Sequence, residues 1–487
     1  MLSEEVKSAK GGKLKFLDLL RKGLSSRGYP FVTAAVLLAC YYLSWDIVAI
    51  YYVAVSATLM LLLLDDLTPA IGLMPFMNVV ISYKNSPSYT AGESGYYYQP
   101  VIFIQIIILV AIAVGAVIFR AIKLFAEHKF KPTPVFFGLC VLSVFFLLNG
   151  VFSEEYTIKN LMYGAIMAAL YLGVFVVVKD NVKIKEDTFE KISLWFFAFS
   201  ILLIVELVVS YFTYEGLFVD GSIERKVLMY GWGVYNTMGM LLLICLPSAA
   251  YLATRYKAGY LFTVYCFVLA AACVVSMSRQ ALVGAVVILP LSLAYVLCKR
   301  KNRIVNICII GAFILGAVAA MIVMWDKLYS IFEDTFSIIV NGKIMDNGRF
   351  KLYKMGWADF IANPAFGVGF FSPSVASFLK NNTGLEFIPV FYHNTLVQMA
   401  ASCGIFGIVA YLFHRIQTVV NYFRRPTIER SYVAVTILVL LLLSLLDVHM
   451  FSLFPNFIYS CFVGLLVASA KKPAQSELQK RLFIIKV

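Results

Sequence analysis

Charge is scarce in this chain. Only 14% of its 487 residues are Asp, Glu, Lys or Arg, against 61% that are hydrophobic, and the mean hydropathy is +0.85. No soluble fold of this size hides so much apolar surface, whereas a bilayer accepts it if each crossing is a helix that satisfies its own backbone. Histidine is scarcer still, at four residues. There is no Cys-x-x-Cys pair. Cys40, Cys140, Cys245, Cys266, Cys273, Cys298, Cys308, Cys403 and Cys461 all lie inside or beside apolar runs, which argues against a disulfide framework or a cysteine metal site. No fixed-period repeat or low-complexity stretch divides the chain, so 1–487 reads as a single transmembrane domain. The start is Lys-rich, long before its first apolar run and without a small-residue cleavage site, and reads as a retained tail.

What the chain does contain is a succession of apolar runs. At about 20 residues per crossing, the expected spans are 29–45, 47–64, 66–82, 101–119, 134–150, 158–178, 192–213, 230–254, 258–278, 280–298, 304–324, 391–413, 432–448 and 451–470. The expected fold class is an all-α polytopic membrane protein with about 14 transmembrane helices. Pro69 and Pro75 interrupt the third run, which is expected to be kinked or re-entrant. The net charge of +14 is not a nucleic-acid patch, because the basic residues sit in short clusters between the runs. Placing the first segment inside puts 30 of the 41 lysines and arginines in inner segments, a bias that orients the chain with both termini cytoplasmic. The outer side then holds a Tyr-, Ser- and Asn-rich loop from Ser82 to Pro100. It also holds a charged loop with Glu215, Asp220, Glu224, Arg225 and Lys226. The longest outer loop, 325–390, is expected to have structure of its own, with short helices.

The few ionisable residues allow elimination. His128 and His414 fall in basic inner loops. His393, where the long loop re-enters the membrane, and His449, in Asp447-Val448-His449, are placed to act on the outer side. A lone histidine at a helix end is commonly structural, so this alone does not make either a base. Asp447 beside His449 fits an ordinary hydrogen-bonded pair at a helix end. Arg279 breaks a nearly continuous apolar stretch. It either reaches a watery cavity or closes a tight hairpin and extends to headgroups. Arg349 begins a segment that Asp346 or Asn347 can cap and that ends before Asn363-Pro364. Arg349, Tyr353, Trp357 and Phe360 would share one face of that helix. A cation at that helix start suits an anion such as a diphosphate; a helix lying on lipid headgroups accounts for it equally well. Glu206, within the seventh run, is a functional candidate or a protonated or Arg-paired structural group.

Three separated segments together resemble the O-antigen ligase/polymerase family. They are Ser278-Arg279-Gln280-Ala281-Leu282-Val283-Gly284; Arg349 to Trp357 followed by Asn363-Pro364-Ala365-Phe366-Gly367-Val368-Gly369-Phe370; and His393-Asn394-Thr395-Leu396-Val397-Gln398 followed by Gly404-Ile405-Phe406-Gly407. The resemblance covers about 230–415 and departs at Gln280, where the family often has a small residue. It implies a C-type glycosyltransferase architecture with its site on the outer face of the cytoplasmic membrane. The implied donor is a glycan on undecaprenyl diphosphate and the acceptor is a glycan or lipid A-core hydroxyl. The reaction would be inverting, with no cofactor and no metal. Within it His393 would be the general base, and Arg279 and Arg349 would hold the diphosphate. Tyr353, Trp357 and Tyr392 would stack on sugar or form an interfacial aromatic belt. The outer side has no Asp-x-Asp dyad to suit a divalent-metal diphosphate site.

Polymerisation of lipid-linked repeat units is the expected activity, favoured by chain length and span number, with a chain-length regulator as a candidate partner. Ligation of the glycan to another acceptor is the alternative within the family. A lipid-linked oligosaccharide flippase or secondary transporter is the alternative outside it, weakened by the lack of an internal two-fold repeat of spans. A purely structural membrane scaffold is the third.

Overall fold

The computed structural model describes residues 15–43, 45–79, 100–127, 130–154 and 156–213, the pairs 218–219, 222–223, 229–230 and 233–234, and residues 235–299, 302–323, 349–371 and 391–470. The segments 82–99 and 324–348, with the capping candidates Asp346 and Asn347, lie outside the described residues. So do both terminal tails, His128, and the charges Glu215, Asp220, Glu224, Arg225 and Lys226.

Each expected apolar run contains a helix among the described residues. After a short α1 (15–24) come α2 (Tyr29–Tyr42), α3 (Asp46–Leu63), α4 (Thr68–Val79), α5 (Pro100–Ala126) and α6 (Pro134–Leu147). Next are α7 (Ile158–Ala168), joined through a π-turn at Ala169–Gly173 to α8 (Val174–Asn181), then α9 (Thr188–Thr213), α10 (Tyr235–Arg255), α11 (Gly259–Val275), α12 (Arg279–Leu297) and α13 (Arg303–Val323). The long loop contributes α14 (Arg349–Ala362), followed by α15 (Thr395–Phe423), α16 (Ile428–Leu443) and α17 (Leu453–Ala468). The described strands are two antiparallel ladders of residue pairs, Phe218–Val219 with Ser222–Ile223 and Met229–Tyr230 with Gly233–Val234. Among the described residues, six helical stretches are long and apolar enough to cross a bilayer: Ile107–Ala126, Ile158–Asn181, Thr188–Thr213, Asn236–Arg255, Arg279–Leu297 and Thr395–Phe423. The chain is an integral, polytopic membrane protein. All nine cysteines are free thiols.

The described part of the third run, α4, carries Pro75 inside the helix. It is enclosed by protein: Leu67, Thr68, Ala70, Ile71, Leu73 and Phe76 are buried, and Gly72 lies against the Trp195 ring of α9.

α10 is the centre of the bundle. Of its crossing stretch 89% is buried, against 18% for α5, which presents isoleucines and phenylalanines around its circumference to lipid. α9, α11, α12 and α16 surround α10. Small residues allow α10 and α12 to approach closely. A Cβ on Gly239 would fall 2.5 Å from that of Ala281, and one on Gly284 would meet Leu243 and Leu443. Two buried tyrosines near the α7–α8 junction reach across the bundle: Tyr163 Oη donates to Phe451 O (2.6 Å) and Tyr171 Oη to Met450 O (3.1 Å). They anchor the single 3₁₀ turn His449–Phe451 between α16 and α17.

Candidate functional site

α15 starts where its N-terminus is fastened to the end of α16. Asn394 is its N-cap, its side-chain oxygen accepting from Leu396 N (2.9 Å) and Val397 N (3.2 Å). The Asn394 amide donates to Leu445 O (2.8 Å), and Thr395 N donates to Ser444 O (2.9 Å). These bonds set His393, one residue earlier, beside the turn that carries Asp447. His393 has φ +52°, a left-handed conformation that a non-glycine residue keeps only when its surroundings enforce it. Its Nδ1 lies 2.8 Å from Asp447 Oδ1, and the His393 side chain remains 41% exposed.

Asp447 is the hub. Its Oδ1 also accepts from Val448 N (2.8 Å), and its Oδ2 faces Arg349 Nη2 at 3.8 Å. Arg349 is the first residue of α14; its Nη1 donates to Leu446 O (2.8 Å), and one turn later Tyr353 Oη donates to His393 O (3.2 Å). Burial pushes the Asp447 carboxyl up, but the His393 hydrogen bond and the Val448 N–H, with the charge that His449 or His393 carries when protonated, outweigh it and hold the carboxyl well below the usual range. Asp447 is therefore ionised at neutral pH and can only accept, so His393 Nδ1 donates to it and Nε2 is the ring nitrogen left to receive a proton. The expected pairing of Asp447 with its neighbour His449 is corrected here, since His449 faces Gln280.

The break between α11 and α12 is a tight hairpin. α11 stops at Val275, Met277 takes φ +58°, and Ser278 caps α12, its Oγ accepting from Ala281 N (3.3 Å) and donating to Asn236 Oδ1 (3.2 Å). Arg279 follows as the first helical residue, exposed and with no hydrogen-bond or ion-pair partner among the described residues. Beside it Gln280 is buried, its Nε2 donating to Asn236 O (3.1 Å) and lying 3.1 Å from His449 Nε2. The arginine-bearing hairpin thus touches the turn that carries Asp447.

Backbone locks the long loop to α15. Gly404 (φ +66°, ψ −165°) breaks that helix. The carbonyls freed at the break accept from the loop, Val368 N to Ala401 O (2.8 Å) and Gly369 N to Ser402 O (3.2 Å). The orphan amides donate back, Ile405 N to Pro364 O (2.8 Å) and Phe406 N to Ala365 O (3.4 Å). All four groups are satisfied by this exchange between loop and helix. Gly367 and Gly369 adopt positive φ (+71° and +89°), a conformation open to glycine because it has no Cβ. Phe370 N and Phe371 N bond the buried Asn149 and Asn160 side chains, joining the loop to α6 and α7.

The aromatic candidates separate. Tyr353 touches the His393 backbone and stays half-buried. Trp357 is 60% exposed and packs on Phe360. Tyr392 is fully buried, its ring against Gly356 and its hydroxyl donating to Asp359, so neither ring face is open to a sugar. Glu206 is buried on α9 and is paired with neither Arg279 nor any other described arginine.

Residues 264–412 match the family model described as O-antigen ligase. No curated protein matches the chain. The matched stretch is shorter than the resemblance read from the sequence; it contains Arg279, Arg349, His393 and Gly404 but stops before Asp447 and His449. Asp447 is the residue that sequence reasoning assigned to the wrong partner, and the only signal pointing to it was its place at the same end of the bundle as His393. The motif segments that carry Arg279, Arg349 and His393 all fall inside the matched stretch, so residues 264–412 of the chain are similar to the O-antigen ligase family in the region that holds them.

Proposed function

We propose that this chain transfers a glycan from undecaprenyl diphosphate to a sugar hydroxyl on the outer face of the cytoplasmic membrane, polymerising lipid-linked repeat units with inversion at the anomeric carbon. The observation that carries this reading is the His393–Asp447–Arg349 cluster, with Arg279, which has no partner among the described residues, at the same end of the bundle. The acceptor oxygen attacks the anomeric carbon and the carbon–oxygen bond to the diphosphate breaks. The hydroxyl proton passes to His393 Nε2, while Asp447 holds the ring in the required tautomer and stabilises the imidazolium that forms. The leaving diphosphate takes the bond's electron pair and needs only charge stabilisation. Arg279 meets it directly, and Arg349 uses the guanidinium donors not spent on Leu446. Tyr353 and Trp357 are placed at the same helix as Arg349 to contact glycan; Tyr392 serves the packing of that helix. No step calls for a metal or cofactor.

Ligation to a separate acceptor is the second reading, favoured by the description of the matched family model. One experiment addresses both. Purified protein in nanodiscs receives undecaprenyl-diphosphate oligosaccharide as the only glycan, with EDTA present, beside His393→Ala and Arg279→Ala. The expected outcome is a ladder of longer lipid-linked glycans that falls by about 100-fold or more in the His393→Ala protein. A ladder appearing only after a second acceptor is added makes the chain a ligase, and full activity in His393→Ala removes the base from the mechanism.

A further inference from the structure

Gln280 and His449 form a contact that the transfer step does not use. A backbone carbonyl only accepts, so the Asn236 carbonyl fixes the Gln280 amide with its nitrogen inward. That nitrogen has two hydrogens. One goes to Asn236 O, and the other points at His449 Nε2, 3.1 Å away. The receiving nitrogen must be bare, which makes His449 neutral with its proton on Nδ1. Were His449 to take a second proton, N–H would face N–H and the contact would open.

The surroundings of His449 resist that second proton. The ring is 7% exposed. The groups facing it are Asp447 on its own turn, His393 before α15, Arg349 on α14 and Gln280 on α12. Tyr163 and Tyr171 hold only the backbone of the next two residues. Burial lowers the His449 pKa; the Asp447 charge opposes this, and His393 and Arg349 add to it. The two partners are also placed to matter. Gln280 directly follows Arg279 on α12, and His449 is two residues from Asp447, so this bridge connects the arginine to the base dyad.

We infer that Gln280 and His449 are a positioning pair that sets the distance between Arg279 and His393, and that protonation of His449 releases it and weakens transfer in acid. The inference rests on the transfer reading above. Gln280 is also where this chain departs from the small residue often found in the family it resembles.

The test is the pH profile of transfer by purified wild type, His449→Gln, His449→Leu and Gln280→Met. A glutamine at 449 offers a carbonyl oxygen that accepts the Gln280 N–H at every pH. It is expected to restore most activity near pH 7.5 and to move the acid limb to lower pH. Leucine at 449, or methionine at 280, removes the bridge and is expected to lower kcat on the order of 10- to 100-fold. Superimposable profiles for wild type and His449→Gln, or full kcat in both His449→Leu and Gln280→Met, would overturn the inference. ¹⁵N NMR of histidine-labelled protein provides a readout independent of turnover. A His449 signal with Nδ1 protonated and Nε2 bare, lost in Gln280→Met, supports the bridge; the opposite tautomer refutes it. If wild type transfers nothing, the transfer reading fails while the tautomer result still decides the bridge.

Discussion

Asp447 touches three things that differ in kind: a ring nitrogen, a backbone N–H and, more distantly, a guanidinium. Its substitution by Asn keeps shape and removes charge. The Asn amide can present N–H to His393 Nδ1, forcing the proton to Nε2 and disabling the base, so Asp447→Asn is expected to lower kcat by about 100-fold or more with a smaller change in KM. Transfer kinetics check this, and an unchanged kcat would show that His393 needs no orienting carboxylate. The ionisable residues at this end were readable in the sequence because so few exist: Arg279, Arg349 and His393 stand out against apolar runs. The partnership of His393 with Asp447 was not readable. It follows from Asn394 and Thr395 bonding Leu445 and Ser444, backbone contacts that leave no trace in spacing or periodicity.

At the level of elements, the loop–helix junction at Gly404 is where substitution should be most damaging. A Cβ there would lie 2.3 Å from Ala365 O, on a backbone that L side chains rarely adopt. Gly404→Ala is expected to cost about 1–3 kcal/mol from backbone strain, with the clash in addition, and to displace α14 from α15. A fall in the thermal unfolding midpoint in detergent, with reduced transfer, checks it; an unchanged midpoint would mean the junction yields easily. The helices themselves were legible, since each apolar run announced one. Their interruptions were not: Gly404 breaks a helix whose apolar pattern runs straight through.

For the whole molecule, the distribution of Lys and Arg orients the bundle, and one native cysteine tests it. Cys298 is exposed at the end of α12, beside Lys299 in a segment assigned to the cytoplasm. A membrane-impermeant maleimide is expected to label Cys298 in inverted vesicles and not in intact spheroplasts; the reverse pattern would put the His393 end inside.

The enclosure of α10 has a consequence for biogenesis. Of the six crossing stretches it is the most buried and the least apolar, so protein rather than acyl chains is its solvent. Of the four helices that surround it, only α9 precedes it in the chain. As the polypeptide leaves the insertion machinery, α10 must wait beside α9 until α11, α12 and much later α16 arrive. A chain truncated before α16 therefore leaves its central helix incompletely covered, the kind of intermediate that membrane quality control can detect.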